Sequence, residues 1–119
     1  MGYGKAVQRE LREPARALRS AIPDVYEGYG RLRAAAFRSG ALDAKTKELI
    51  ALAVSVSKEC DGCIAAHARG AARSGASAEE VAEALGVVIA MNGGPGTVYG
   101  PRAFEAFQEF AEEPRRAGP

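Results

Sequence analysis

The ten residues "KECDGCIAAH", Lys58 to His67, hold both cysteines of the chain and its single histidine. A C-x-x-C pair followed four residues later by an imidazole concentrates nucleophilic, basic and metal-ligating groups in one short stretch. If Cys60 ends one helix and Cys63 sits in the first turn of the next, Cys63 lies in the field of a helix N-terminus. Unpaired N–H groups and the helix dipole there favour an anion, so the thiolate is stabilised. Cys63 and His67 are one helical turn apart and share a face, so the imidazole can take the thiol proton directly or through one water. The C-x-x-C turn also brings the second sulfur within coupling distance for a disulfide. Together they form a nucleophilic thiol, its base and a second thiol to resolve an oxidised intermediate.

Two other uses of the same atoms stay open at this level. Cys60, Cys63 and His67 are three ligands for zinc, enough for an open catalytic site. A closed structural site needs a fourth, which Glu48 or a neighbouring subunit would supply. Alternatively the cysteines only pack in a helical corner beside a surface histidine.

The elements that must position these residues read as helices separated by short Gly or Pro breaks. A first helical segment runs from about Lys5 to Ala21 and meets Pro14, which predicts a kink or a fresh start. In "IPDVYEGYGRLRAAAFRSG", Val25, Tyr26, Tyr29, Leu32, Ala36 and Phe37 recur at helical offsets, with Pro23 or Asp24 opening and Gly40 closing the helix. Asp43 is the expected N-cap of the next helix. That helix is apolar on nearly every side from Leu49 to Val54, which in a small domain points to a subunit interface. The "VSVS" alternation of Val54 to Ser57 falls inside this helical pattern. A helix from about Gly62 to Ser74 follows and ends at Gly75. Ser77 to Glu80 form a capping-box pattern that opens a helix with Val81, Leu85, Val88 and Ile89 inward. "NGGPG" stops it, and "NGGPGTVYG" is expected to turn the chain, with Tyr99 as packing. Phe104, Phe107 and Phe110 form a stripe on the last helix, and "EEPRRAGP" reads as a frayed tail. The fold class is therefore all-α, a single domain of about five to six helices.

At 119 residues and 47% hydrophobic content, the chain can bury a core without staples. A formal net charge of +1 gives no basis for a nucleic-acid surface or a polybasic membrane patch. No window approaches the ~18 apolar residues of a membrane span. "MGYGKAVQRELREP" has no apolar leader segment, so the expected location is cytoplasmic. There a C-x-x-C is more often redox-active or metal-binding than a structural staple.

Glu48, eleven residues, Cys60, two residues, Cys63, three residues and His67 spell E-x11-C-x2-C-x3-H. With the flanks "GALDAKTKELIALAVSVSKECDGCIAAHARGAARSGASAEEVAEALGVVIAMNGGPG", the chain resembles the alkylhydroperoxidase AhpD-like proteins of the carboxymuconolactone decarboxylase superfamily. The resemblance covers roughly residues 35–110. It implies an all-helical fold assembled as homotrimers or homohexamers, with no cofactor and no resident metal. It implies that Cys63 is attacked by a peroxide substrate, that Cys60 resolves it, and that Glu48 and His67 relay the proton. A lipoyl-bearing or thioredoxin-like protein would then reduce the disulfide. Decarboxylases of the superfamily lack the cysteine pair, so its presence here argues against that reaction.

Two features depart from the pattern. Some AhpD proteins carry a further histidine between the cysteines, where this chain has Asp61 and Gly62. Asp61 would raise the thiol pKa values by its charge, or act as a helix N-cap. Glu48 also precedes Cys60 by twelve residues, ~18 Å along a straight helix. Simple antiparallel folding sets His67 nearer Val54, so a relay needs a steep crossing, a kink, or Glu48 from a neighbouring subunit.

Overall fold

The computed structural model describes residues 2–113. Six helices follow one another: α1 (Tyr3–Ala21), α2 (Pro23–Phe37), α3 (Ala44–Ser57), α4 (Asp61–Arg73), α5 (Ala78–Asn92) and α6 (Gly94–Ala111). No strand occurs among the described residues. Their boundaries follow from local chemistry. Asp43 caps α3 by accepting from the Thr46 amide at 2.8 Å. Ser77 and Glu80 form the complete capping box that starts α5.

The chain reverses direction from α3 to α4 and again after α4, both times through a Schellman motif. At the first, the Glu59 amide bonds the Val56 carbonyl and the Cys60 amide bonds that of Ser55, at 3.0 and 3.1 Å. Glu59 takes the left-handed conformation, φ 55°, that a glycine usually fills. At the second, Gly75 fills that role with φ 85°. α5 and α6 are separated by Gly93 alone, whose φ is +68°. α6 then runs close enough to α5 that a Cβ on Gly96 would lie 2.9 Å from the Ile89 Cα. "NGGPGTVYG" is thus one turn residue followed by the opening of α6 rather than a loop.

α4 is the central element, packed on α1, α3 and α6. Its fully buried face is mostly alanine, with Ala65, Ala68 and Ala71 beside Ile64, so neighbouring helices approach closely. Leu52 and Val56 of α3, Val81, Leu85 and Val88 of α5, and Ala103, Ala106, Phe107 and Phe110 of α6 complete the core. Phe104, Tyr99 and Tyr3 pack against it from the edge.

Several expectations are corrected. α1 runs through Pro14 as one helix, and α2 ends at Phe37 rather than at Gly40. The face marked by the apolar periodicity of α2 is open: Val25, Tyr29 and Leu32 are each more than 60% exposed, and α2 buries no residue. α2 packs mainly on α1 and α3, and among the described residues Val25, Tyr29 and Leu32 stay uncovered. α3 is likewise split, with Leu52 buried and Ile50 and Val54 about half exposed. Of the expected frayed tail, Glu112 caps α6 and Glu113 pairs with Lys5 at 3.1 Å; its remainder, Pro114 to Pro119, lies outside the described residues. No helix among the described residues is long and apolar enough to cross a membrane.

Candidate active site

Cys60 is the N-cap of α4, and Cys63 is its third residue. The Cys63 amide donates to the Cys60 sulfur at 3.3 Å, so a sulfur fills the capping role that an oxygen usually takes. The two sulfurs are bonded as a disulfide, with the Cα atoms 5.2 Å apart. Cys63 is exposed and Cys60 half-buried, so the bond is open to an external thiol. The α3 cap ends at Cys60 and the α4 cap begins there, which makes this residue the pivot between the two helices.

His67 lies one turn beyond Cys63 on the same face of α4. Its Nδ1 is 2.8 Å from Glu48 Oε1, and both side chains are largely buried, about 15% exposed. A carboxylate at Nδ1 holds that proton and leaves Nε2 as the nitrogen with a free lone pair. Glu48 reaches His67 within one chain and along an unbroken α3, without a kink and without a neighbour's residue. The register sets the Glu48 carboxylate over Gly70, where a Cβ would stand 2.4 Å from its Cδ and Oε1. The absent side chain at Gly70 is the space through which Glu48 reaches the imidazole.

A face of the imidazole is stacked on Phe37, ring centroids 5.4 Å apart and planes within 6°. Phe37 is the last residue of α2, and Lys47 of α3 anchors that helix end by donating to the carbonyls of Ala36 and Arg38. The Arg33 guanidinium covers the Phe37 ring at 5.7 Å. α2 thus contributes no buried residue yet fixes the ring orientation of His67.

Asp61 is the first residue of α4, not its cap, because Cys60 holds that place. Its carboxylate accepts from the Tyr3 hydroxyl, which joins the start of α1 to the turn between the cysteines. Burial, followed by this hydrogen bond, pushes the Tyr3 hydroxyl well above its ordinary pKa, so it stays a donor at neutral pH. Arg102 of α6 lies over both Tyr3 and Tyr99, at 5.8 and 5.1 Å.

The structure therefore joins Cys60 to Cys63 and Glu48 to His67, with His67 one helical turn beyond Cys63. Three others were not read from the sequence. Gly70 had a signal, since a glycine inside a helix is destabilising by about 1 kcal/mol relative to alanine and calls for a packing reason. Phe37 was indistinguishable from the rest of its apolar stripe, and Tyr3 carried no signal at all. Among the described residues no group of three or more His, Cys, Asp or Glu side chains is placed to hold a metal ion.

Residues 23–112 match a family model described as "Carboxymuconolactone decarboxylase family". The chain belongs to the carboxymuconolactone decarboxylase family. An apo carboxymuconolactone decarboxylase family protein from Legionella pneumophila superposes with a TM-score of 0.87 at 38% identity, over 92% of this chain and 97% of that one. A protein of known structure from Thermotoga maritima gives 0.78 at 34% identity, over 92% and 96%. An uncharacterized protein from Cupriavidus necator is 39% identical over 98 residues, 82% of this chain and 87% of its own length.

Proposed function

We propose that this member of the carboxymuconolactone decarboxylase family is a thiol-dependent peroxidase of the alkylhydroperoxidase type. The observation that carries the reading is the exposed Cys60–Cys63 pair at the N-terminus of α4, one turn before a His67 held by Glu48. In the reduced enzyme His67 Nε2 takes the Cys63 thiol proton while Glu48 stabilises the resulting imidazolium. The thiolate attacks one peroxide oxygen: an S–O bond forms, the O–O bond breaks, and the alcohol leaves with a proton. The Cys60 thiol then displaces water from the Cys63 sulfenic acid and the disulfide forms. A dithiol protein, lipoyl-bearing or thioredoxin-like, returns two electrons and two protons by exchange at the exposed sulfur of Cys63. The enzyme works in the cytoplasm without a cofactor.

The enzyme assembles as a homotrimer or homohexamer. The uncovered apolar residues of α2 and the half-exposed Ile50 and Val54 of α3 support this, since grouped apolar side chains left in water favour a partner subunit.

The test is peroxide-dependent turnover with dithiol reductants, for the wild type beside Cys63→Ser and Cys60→Ser. Cys63→Ser is expected to consume no peroxide, and Cys60→Ser to stop after one oxidation. Wild-type rates from Cys63→Ser remove the assigned role. Reversible oxidation of the wild type without turnover under any reductant replaces catalysis with redox sensing.

A further inference from the structure

The two residues between the cysteines, Asp61 and Gly62, are both met by α1. The Asp61 carboxylate accepts from the Tyr3 hydroxyl. Gly62 faces Leu11, whose Cδ1 would stand 2.9 Å from a Cβ placed there. We propose that this clamp sets the thiol–disulfide equilibrium of the Cys60–Cys63 pair, with Tyr3 as a positioning residue that acts through the charge of Asp61. This rests on the pair being a working dithiol, as in the proposed function, whichever oxidant closes it.

Reduction by an external dithiol breaks the Cys60–Cys63 bond and closes a disulfide in the reductant. Two electrons pass, one proton ends on the Cys60 sulfur and the other on His67, and Cys63 is left as a thiolate. Its place in the first turn of α4 favours that anion. Asp61 opens the same turn, next to Cys60 and two residues before Cys63, so its carboxylate opposes the developing charge. The disulfide carries no such charge, and a bare carboxylate here therefore favours the oxidised pair. A hydrogen bond donated to that carboxylate offsets its charge and moves the balance back toward the dithiol. The Arg102 guanidinium, 5.8 Å from the centre of the Tyr3 ring, adds positive charge at the phenol.

A hydroxyl on a loose side chain would be exchanged for water with little consequence. Tyr3 is held. Its ring packs against the core, and burial keeps its hydroxyl protonated at neutral pH. The start of α1 is seated on α6: the Gly4 amide donates to Glu109 at 2.7 Å, and a Cβ on Gly4 would stand 2.8 Å from that of Ala106. Leu11 bears on Gly62 about two turns further along the same helix. The turn that must open and close is thus braced by one helix at both of its inner residues.

The experiment equilibrates the full chain with glutathione and dithiothreitol redox buffers of graded ratio at pH 7. The dithiol fraction is read by thiol alkylation and mass spectrometry. Tyr3→Phe keeps the ring and removes only the hydroxyl, and circular dichroism checks its fold. Its equilibrium constant for reduction should fall by about threefold to tenfold, a shift of about 15–30 mV toward more negative potential. Asp61→Asn, at an exposed position, removes the charge and should raise the constant. In the Asp61→Asn background Tyr3→Phe should add nothing, because the hydroxyl acts only through the carboxylate. An unchanged constant in either single variant overturns the proposal. So does the same fall from Tyr3→Phe in both backgrounds, which a merely loosened α1 would give. Peroxide turnover is measured separately, so failure of the peroxidase reading and failure of this one give different results.

Discussion

Gly70→Ala probes the corner where Glu48 meets His67 without touching either residue. The new methyl carbon would start 2.4 Å from the Glu48 Cδ and Oε1 and 2.7 Å from Oε2. The carboxylate is the far end of a flexible side chain, so it withdraws by about 1 Å to reach ordinary contact. The 2.8 Å bond to His67 Nδ1 then lengthens past the range of a hydrogen bond. Two stability effects oppose each other. Alanine gains up to about 1 kcal/mol over glycine in a helix interior. Loss of a charge-assisted hydrogen bond forfeits roughly 1.5–3 kcal/mol, reduced because water can replace it at this partly exposed site. The net change in stability is expected to be small, within about 1–2 kcal/mol. Activity should respond more strongly, because the imidazole loses the group that sets its tautomer. Oxidation of reduced Cys63 by peroxide, followed by stopped flow, should slow by roughly 10²-fold. A second measurement isolates the cause: in a Glu48→Ala background, Gly70→Ala should add no further slowing. Wild-type oxidation in the single variant, or the same slowing on top of Glu48→Ala, would refute the role given to the gap at Gly70.

Two further outcomes concern the scaffold. Glu59→Gly places the residue best suited to φ 55° at the cap between α3 and α4, and should raise the melting temperature by up to roughly 5 °C; a clear fall would contradict the cap assignment. The acid side of the stability profile should depend on Asp43 and Glu80. Hydrogen bonding by Thr46 lowers the Asp43 pKa, and the Ser77 amide followed by Lys45 lowers that of Glu80. Groups depressed in the folded chain contribute stability above their unfolded pKa of about 4, and that contribution is lost as pH falls through the folded value. Lys45, raised by its bond to Glu80, contributes below its unfolded pKa and loses that contribution only in strong alkali. Asp43→Ser with Glu80→Gln should therefore flatten the decline in melting temperature below about pH 4, measured from pH 2 to 7; an unchanged slope would remove these two carboxylates from the acid transition.

The features legible in the sequence were those governed by residues close together along the chain. The Asp43 cap, the Ser77–Glu80 capping box, Gly75 after α4 and the position of Cys60 and Cys63 at a helix start all depend on bonds spanning three to five residues. Spacing alone put Cys63 and His67 on one face of α4. The meeting of Glu48 with His67 was implied by resemblance, but residue counting along a straight helix argued against it. The count missed that Gly70 leaves a gap where the two helices face each other, and that a long carboxylate side chain fills it.

The apolar periodicity of α2 shows the limit from the other direction. The pattern identified the helix, and the same pattern would read as core, yet Val25, Tyr29 and Leu32 stay exposed while Phe37 at its end stacks on His67. Tyr3 and Asp61, 58 residues apart, meet only because α1 crosses the start of α4. Helix formation is a local equilibrium, so the sequence determined an all-α chain of about five to six helices, the α3 and α5 caps and the dithiol turn. Which side chains touch across helices depends on register and crossing, set by how the whole core packs, and that decided the imidazole's partners.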